Sequence, residues 1–376
     1  MKTQLQITAL ALATWLAAGA ALAQTGNARV YQQGSDWVQE VTGTLPAAKL
    51  VKVTSSAGSI KVVGGPKSGI TYTVREHFRA VTKEAALREL SHMQFRTSTS
   101  GETVALMAIC EGDGRGHIDF EIQVPARTSA LKLETQGGAV TAMNIAGKVE
   151  ATTGGGDIHL DQVGGPITVA SAGGQIDIGK VGGDAALSTG GGNIRVVEAA
   201  GHLVASSGGG NLNIGSARLM TLETGAGSIK VDKCQGQLKA QTGGGTIDLS
   251  EIGGAAMIES AGGGIKIGTV RGGLRAETAS GPIYATLARG ASFTDSRIET
   301  AMGDIIVYVP EGLGVTVKAM VETARGRGIT TEFPELKVSQ SGGMGPREAW
   351  AEGSINGGGP VLHVHTATGN IDFKRK

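Results

Sequence analysis

Backbone chemistry comes first, because runs of glycine such as those at 154–156, 190–192, 208–210 and 243–245 offer the bare amides that can cradle a phosphate. No run carries the lysine and hydroxyl that complete a Walker loop. None has the glycine spacing of a dinucleotide site opening a helix. They read as turns. Calcium is the second candidate, since two nine-residue halves per unit is also the layout of the calcium-dependent β-roll, which needs an aspartate in every half. The residue after the last glycine is instead Asp157, Gln175, Asn193, Asn211, Ser228, Thr246, Gly264, Pro282 and Asp304. That set is too seldom anionic for a hard dication, so chelator is expected to leave the melting temperature unchanged.

Side chains supply four further candidates. His159, Asp177, Arg195, Asn213, Lys230, Asp248, Lys266 and Tyr284 occupy one outward position of successive units. There Asp177 between His159 and Arg195 is the arrangement a polysaccharide lyase or hydrolase would use. Mixed solvated charge produces the same neighbours, and Tyr284 is the only ring available as a sugar platform. His363 and His365, two apart on a strand, face the same way and could share a metal, but no third ligand is evident. Glu111 and Asp113 in EGDGRG suit a tight polar turn. Arg325 and Arg327 in ARGRG could touch an anionic glycan. The sequence thus assigns no catalytic, cofactor-binding or metal residue.

What must position these residues is a repeat. Aligning TTGGGDIHL (152–160), SAGGQIDIG (171–179), STGGGNIRV (188–196), SSGGGNLNI (206–214) and QTGGGTIDL (241–249) gives one column: Val140, Ile158, Ile176, Ile194, Leu212, Ile229, Ile247, Ile265 and Ile283. The step is 18 residues throughout, except for one of 17 between Leu212 and Ile229. Each unit has two nine-residue halves, as in PITVASAGG and QIDIGKVGG at 166–183, and each half carries aliphatics two apart followed by glycines. Such a unit reads as strand, turn, strand, turn, unable to bury its apolar side alone. The expected fold is therefore all-β: a right-handed, single-stranded parallel β-solenoid with about 18-residue coils, a β-rich N-terminal cap and one short helix. About nine regular coils would make a rod on the order of 40 Å long.

Composition agrees with a thin interior, since only 3% of the 376 residues are aromatic while 62 are glycine. Residues 1–23 join Lys2 to an apolar run ending Ala21-Leu22-Ala23, the form of a secretory signal peptide cut after Ala23. A retained anchor is the alternative, because the run is of nearly spanning length. No cysteine follows the cut to accept a lipid, and no second span follows. Losing Lys2 leaves equal numbers of basic and acidic residues, which gives nothing to steer the chain toward nucleic acid. Cys110 and Cys234 are the only cysteines; whether they pair stays open, with Cys234 placed in a repeat turn.

In chain order, residues 24–129 form a β-rich region in which Trp37 and Val38 are the first that look buried. A degenerate unit follows at 50–65 (LVKVTSSAGSIKVVGG), then a strand at 70–75. Residues 82–95 form a helix capped by Thr82, with Ala85, Leu87, Leu90 and Met93 as its apolar face. TVALMAIC and HIDFEIQV read as a hairpin around EGDGRG. The regular solenoid spans 130–309, and 310–376 holds an irregular segment covering the open end before a last copy at 361–373. The tail Lys374-Arg375-Lys376 would discourage end-to-end pairing.

The order of HIDFEIQVP, the TGGGxI units, GRGI with EFPEL, INGGGP and the closing TATGNIDF resembles the bacterial adhesin-like β-strand-repeat family of unknown function, related to auto-transporter adhesin head domains. The resemblance covers nearly all of the chain after the leader. It implies an extracytoplasmic right-handed β-solenoid with no catalytic residues to carry over. The chain departs in its longer regular array and in lacking a translocator barrel. The expected function is a non-enzymatic, adhesin-like scaffold, periplasmic or secreted, that binds an envelope polymer or a protein on a surface. The alternative is a β-helix carbohydrate-active enzyme.

Overall fold

The computed structural model describes residues 27–110, 116–289, 293–341 and 347–376. The leader at 1–23 and the turn residues Glu111 and Asp113 lie outside the described residues, as do the side chains of Arg325 and Arg327. The rest is almost entirely strand, with thirty strands and one helix. Among the described residues no helix is long and apolar enough to cross a membrane.

The aliphatic column becomes a row of parallel partners. Val140 pairs with Ile158, Ile158 with Ile176, Ile176 with Ile194, and so on through Ile283, each no more than 1% exposed. The 17-residue step is absorbed at one corner: Ala199 still faces Ala217 across 18 residues, whereas His202 faces Leu219 across 17. A coil has six inward positions, shown by Ile158, Leu160 and Val163 on the strand Ile158–Val163 and by Ile167, Val169 and Ser171 on Ile167–Ser171. The first strand belongs to what we term the first sheet, the next to the second sheet. Rows of Val, Ile, Leu and Ala at roughly 4.8 Å spacing fill the narrow interior. Five of the six phenylalanines lie outside 130–309, and the sixth, Phe293, lies near the C-terminal end of that span.

The sixth inward position is polar, and it explains the T/S-x-G-G signature. Thr153, Ser171, Thr189, Ser207, Thr224, Thr242, Ser260 and Thr278 are all buried. Each hydroxyl donates to a glycine carbonyl one coil back, for example Thr189 Oγ1 to Gly174 O at 2.9 Å. From Thr153 to Ser260 it also accepts from the amide of the last glycine in its own turn, for example from Gly192 N at 3.2 Å, whereas the Gly281 amide after Thr278 bonds to Met302 O. Backbone groups at this corner of the coil are thereby satisfied, while the opposite corner is joined by backbone bonds such as Gly182 N to Val163 O. The last glycine is needed for close approach: a Cβ at Gly192 would overlap the carbonyl oxygen of Gly174, while the middle glycine, Gly191, faces open space. Positive φ, the usual reason for glycine at a turn, occurs at none of the glycines from 137 to 273.

The ends depart from chain order. Leu50–Ser55 lies between Thr103–Cys110 and Ala130–Thr135, and Ile60–Gly65 lies between Gly116–Pro125 and Val140–Ile145. Thr103–Cys110 and Gly116–Pro125 are therefore two halves of an outer coil, in different sheets, and not the expected hairpin. Their alternating apolar pattern fits any half-buried strand and cannot name a partner. The hairpin that does form joins Met93–Ser100 to Thr103–Cys110. At the other end the last strand, Val361–Arg375, is inserted between the coil Ser296–Met302 with Ile305–Val309 and the strand Val315–Thr331. The stack is roughly fourteen strands deep, on the order of 60 Å, because the degenerate copies join it.

Residues 311–358, expected to be irregular, largely form strands. Val315–Thr331 completes the stack, Arg347–Ile355 runs antiparallel to it, and Lys337–Gln340 is the exposed edge. The basic tail is not on that edge: Lys374 and Arg375 face Tyr308 and Val309 inside the sheet. The helix is shorter than expected, Lys83–Leu90, with the Thr82 hydroxyl accepting from Ala85 N at 3.2 Å. Its buried residues are Ala86 and Leu90, one turn apart, whereas Leu87 is exposed and Met93 belongs to the next strand. Cys234 is an inward residue, not a turn residue. About seven coils separate it from Cys110, roughly 34 Å along the stack, so the two are not joined.

Candidate functional site

Alternation along each strand turns the remaining positions outward, and stacking converts them into rows. On the first sheet the row from His159 through Asp177 and Arg195 to Tyr284 is in register. His159 Nδ1 lies 3.3 Å from Asp177 Oδ2, both well exposed, in a shallow depression that Arg195, Lys180 and Glu198 also line. The residues tested for calcium have a different task. Asp157 Oδ1 accepts from Gln175 N at 2.7 Å, Asn193 Oδ1 from Asn211 N at 2.8 Å, and Asn211 Oδ1 from Ser228 N at 2.8 Å. Each caps the same position of the next coil, so its oxygen points along the stack.

The second sheet carries two rows of opposite sign. Glu223, Gln241, Glu259, Glu277, Glu299 and His365 are successive partners, and Thr221, Lys239, Met257, Arg275, Arg297 and His363 run beside them. Carboxylates stacked directly opposite one another repel. Here each is answered locally: Arg275 Nε sits 2.7 Å from Glu277 Oε1, Arg297 Nη1 2.9 Å from Glu299 Oε1, and Gln241 Nε2 donates to Glu259 at 2.5 Å. The glutamate row lines a shallow trough. His363 and His365 do share a face, but His365 Nε2 pairs with Glu322 at 3.0 Å while His363 stands in the basic row.

A third cluster escaped the sequence reading. His77 on Ile70–Arg79 is directly opposite His117 on Gly116–Pro125, the rings stacked with centroids 4.5 Å apart and 4° between planes. Asp119 Oδ2 is 3.6 Å from Nε2 of both. Its other oxygen accepts from Ser59 N at 2.8 Å and Ser59 Oγ at 2.7 Å. These three side chains are the one group among the described residues whose donor atoms could hold a metal. Burial, and then the neighbouring His117, push the His77 imidazole below its usual value. His117 and Asp119 in HID have the same i, i+2 spacing as His363 and His365, but His77 comes from forty residues earlier, and only the pairing unites them.

Two other titratable groups are set by this end of the molecule. Burial opposes ionisation of Glu40, but hydrogen bonds from Arg75 and Arg29 outweigh it and hold the carboxyl below its usual range. Glu76, on the opposite face of the strand that carries His77, is buried with Oε2 unpartnered among the described residues. Burial pushes its carboxyl up to about 7.

No protein-family model and no curated protein matches the sequence. Solved structures with some similarity include a provisionally named cell adhesion protein of Clostridium sporogenes, at 9% identity over 90% of this chain and 100% of that chain, with a TM-score of 0.18. A provisionally named adhesin of Parabacteroides distasonis is 10% identical over 72% of this chain and 96% of that chain, at 0.30. A provisionally named lipid binding protein of the same species is 11% identical over 90% and 97%, at 0.23.

Proposed function

We propose that the chain is a non-enzymatic, extracytoplasmic, adhesin-like scaffold that binds an extended polymer or protein of the cell envelope along its second sheet. The observation that carries this reading is the pair of rows from Glu223 to Glu299 and from Lys239 to Arg297, held in register over successive coils. A flat face with charges repeating at the coil spacing suits a partner that is itself extended and periodic. A catalytic cleft, by contrast, concentrates a few groups at one point. Right-handed winding, the hand that parallel crossovers favour, belongs to this reading, as do direction outside the cytoplasm by the leader and the division at 24–129, 130–309 and 310–376.

The enzymatic alternative rests on His159, Asp177 and Arg195. Glycoside hydrolysis ordinarily needs two carboxyl groups placed across one bond; Asp161 and Glu198 line the same depression as Asp177, but Asp161 accepts from the Gln162 and Lys180 amides and Glu198 pairs with Lys180. The two readings separate in one experiment, in which purified protein is screened against acidic and neutral envelope polysaccharides for binding and for bond cleavage. We expect salt-sensitive binding, without cleavage, that weakens when Glu259, Glu277 and Glu299 are changed together to Gln. Cleavage that is lost in Asp177→Asn would replace this reading with the enzymatic one.

A further inference from the structure

We propose that His77, His117 and Asp119 form a site for one divalent transition-metal ion, with Zn²⁺ the best fit, independent of the polymer-binding face. The first argument is geometric. Each Nε2 lies 3.6 Å from the shared Asp119 oxygen, too long for a hydrogen bond. It is close to the separation of ligands around a tetrahedral zinc, roughly 3.3 Å for bonds of about 2.0 to 2.1 Å. All three donor atoms lie within 4.8 Å of one another. A carboxylate serving only as a hydrogen-bond acceptor for the two rings would draw them closer.

The second argument is preorganisation. Ser59 holds Asp119 Oδ1 with both its amide and its hydroxyl, which fixes the carboxylate and presents Oδ2 to the rings, as outer-shell groups do at metal sites. The pairing of Ile70–Arg79 with Gly116–Pro125 sets the two rings side by side with both Nε2 atoms on the Asp119 side, and a turn of each ring about its Cβ–Cγ bond brings the two parallel lone pairs onto one ion. The third argument is donor chemistry. Two imidazoles and one carboxylate suit Zn²⁺ and its neighbours and disfavour Ca²⁺ and Mg²⁺, which take oxygen ligands. Three protein ligands leave a coordination position for water, and the recess that holds the rings, lined also by Asp36, opens to solvent. An ion here would clamp the antiparallel strand Ile70–Arg79 to the outermost coil and, through Ser59, to the coil behind it.

The test uses the full chain after leader removal, without a histidine tag, stripped with chelator and titrated with Zn²⁺ by calorimetry and with Co²⁺ by visible absorption. The expected result is saturable one-to-one binding, with Co²⁺ bands of the intensity that four-coordinate sites give. Affinity should fall at least tenfold in His117→Gln and in Asp119→Asn, fall about tenfold in Ser59→Ala, and stay unchanged in the double variant His363→Gln, His365→Gln. A readout that needs no variant is hydrogen exchange in the unaltered chain, where Zn²⁺ should slow the amides of Ile70–Arg79 and Gly116–Pro125. Absence of saturable Zn²⁺ binding, or binding untouched by both ligand substitutions, or protection located elsewhere, overturns the proposal.

Discussion

Thr189→Val tests whether the buried hydroxyl row holds the corners together. Valine keeps the shape of threonine, so packing of the 4%-exposed side chain is preserved and only its two hydrogen bonds are lost, to Gly174 O at 2.9 Å and from Gly192 N at 3.2 Å. Gly192 cannot move aside easily, because it already approaches the carbonyl of Gly174 too closely to carry a side chain. Each buried group left without a partner costs about 1 to 3 kcal/mol. The pair should therefore cost roughly 2 to 4 kcal/mol, with the carbonyl contributing less because it has a second lone pair. A stack of coils opens locally, so the assay is native-state hydrogen exchange at Ala185–Thr189 and at the start of Ile194–Ser207. At about 1.4 kcal/mol per tenfold, exchange there should speed up by a factor on the order of 30 to 700. The control is Ser188→Val, one residue away on the exposed face, with an expected effect within about 0.5 kcal/mol. Acceleration of less than tenfold in Thr189→Val, or equal acceleration in the control, refutes the argument.

Three further outcomes follow from the same structure. Ile194→Asp places an uncompensated charge in a row that is fully buried, so the central coils should lose their exchange protection; a chain of near wild-type stability would mean the inward assignment is wrong. Gly192→Ala should destabilise strongly by collision with the Gly174 carbonyl, while Gly191→Ala should be close to neutral; similar melting curves for the two would show that close approach is not what selects glycine. Glu76 has a folded pKa of about 7, above its ordinary 4.5, so its stability contribution is complete below about pH 4.5 and is lost as pH rises through 7. That amounts to roughly 3 kcal/mol for a group 1% exposed. Glu76→Gln should thus gain melting temperature relative to wild type between pH 5 and pH 8, and a difference that does not vary with pH would contradict this.

What the sequence makes legible is set by period. Eighteen-residue spacing fixes which residues become partners, so the row from Val140 to Ile283 and the outward row from His159 to Tyr284 can be read without coordinates. Threonine and serine in T/S-x-G-G are just as periodic. Their burial is not legible from hydrophobicity, because a hydroxyl inside the stack looks like a turn residue until its glycine partners are known. Period fails altogether for His77, His117 and Asp119, which meet through an antiparallel pairing that no repeat announces. The outer coil at 103–125 fails for a related reason: its residues alternate correctly, but alternation says nothing about whether a strand stacks beneath the preceding unit or the following one.

Both ends solve one problem in the same way. A solenoid whose outermost coil came first or last in the chain could fray from that end, since the coil would be tied on one side only. Here the coil at 50–65 is flanked by strands that come after it in the sequence, and the final strand Val361–Arg375 is flanked by strands that come before it. Peeling the C-terminus therefore requires breaking pairings on both of its edges. The outer coils then end in antiparallel strands, Asn27–Gln33 and Met93–Ser100 at one end and Lys337–Gln340 at the other. An antiparallel strand interrupts the parallel register that another copy would need to continue the stack, and the outermost of these strands expose mainly polar and charged side chains. Three of the four sheet edges thus end in antiparallel strands, the fourth ending in the parallel segment 329–331, and the long charged faces lie along the sides of the stack.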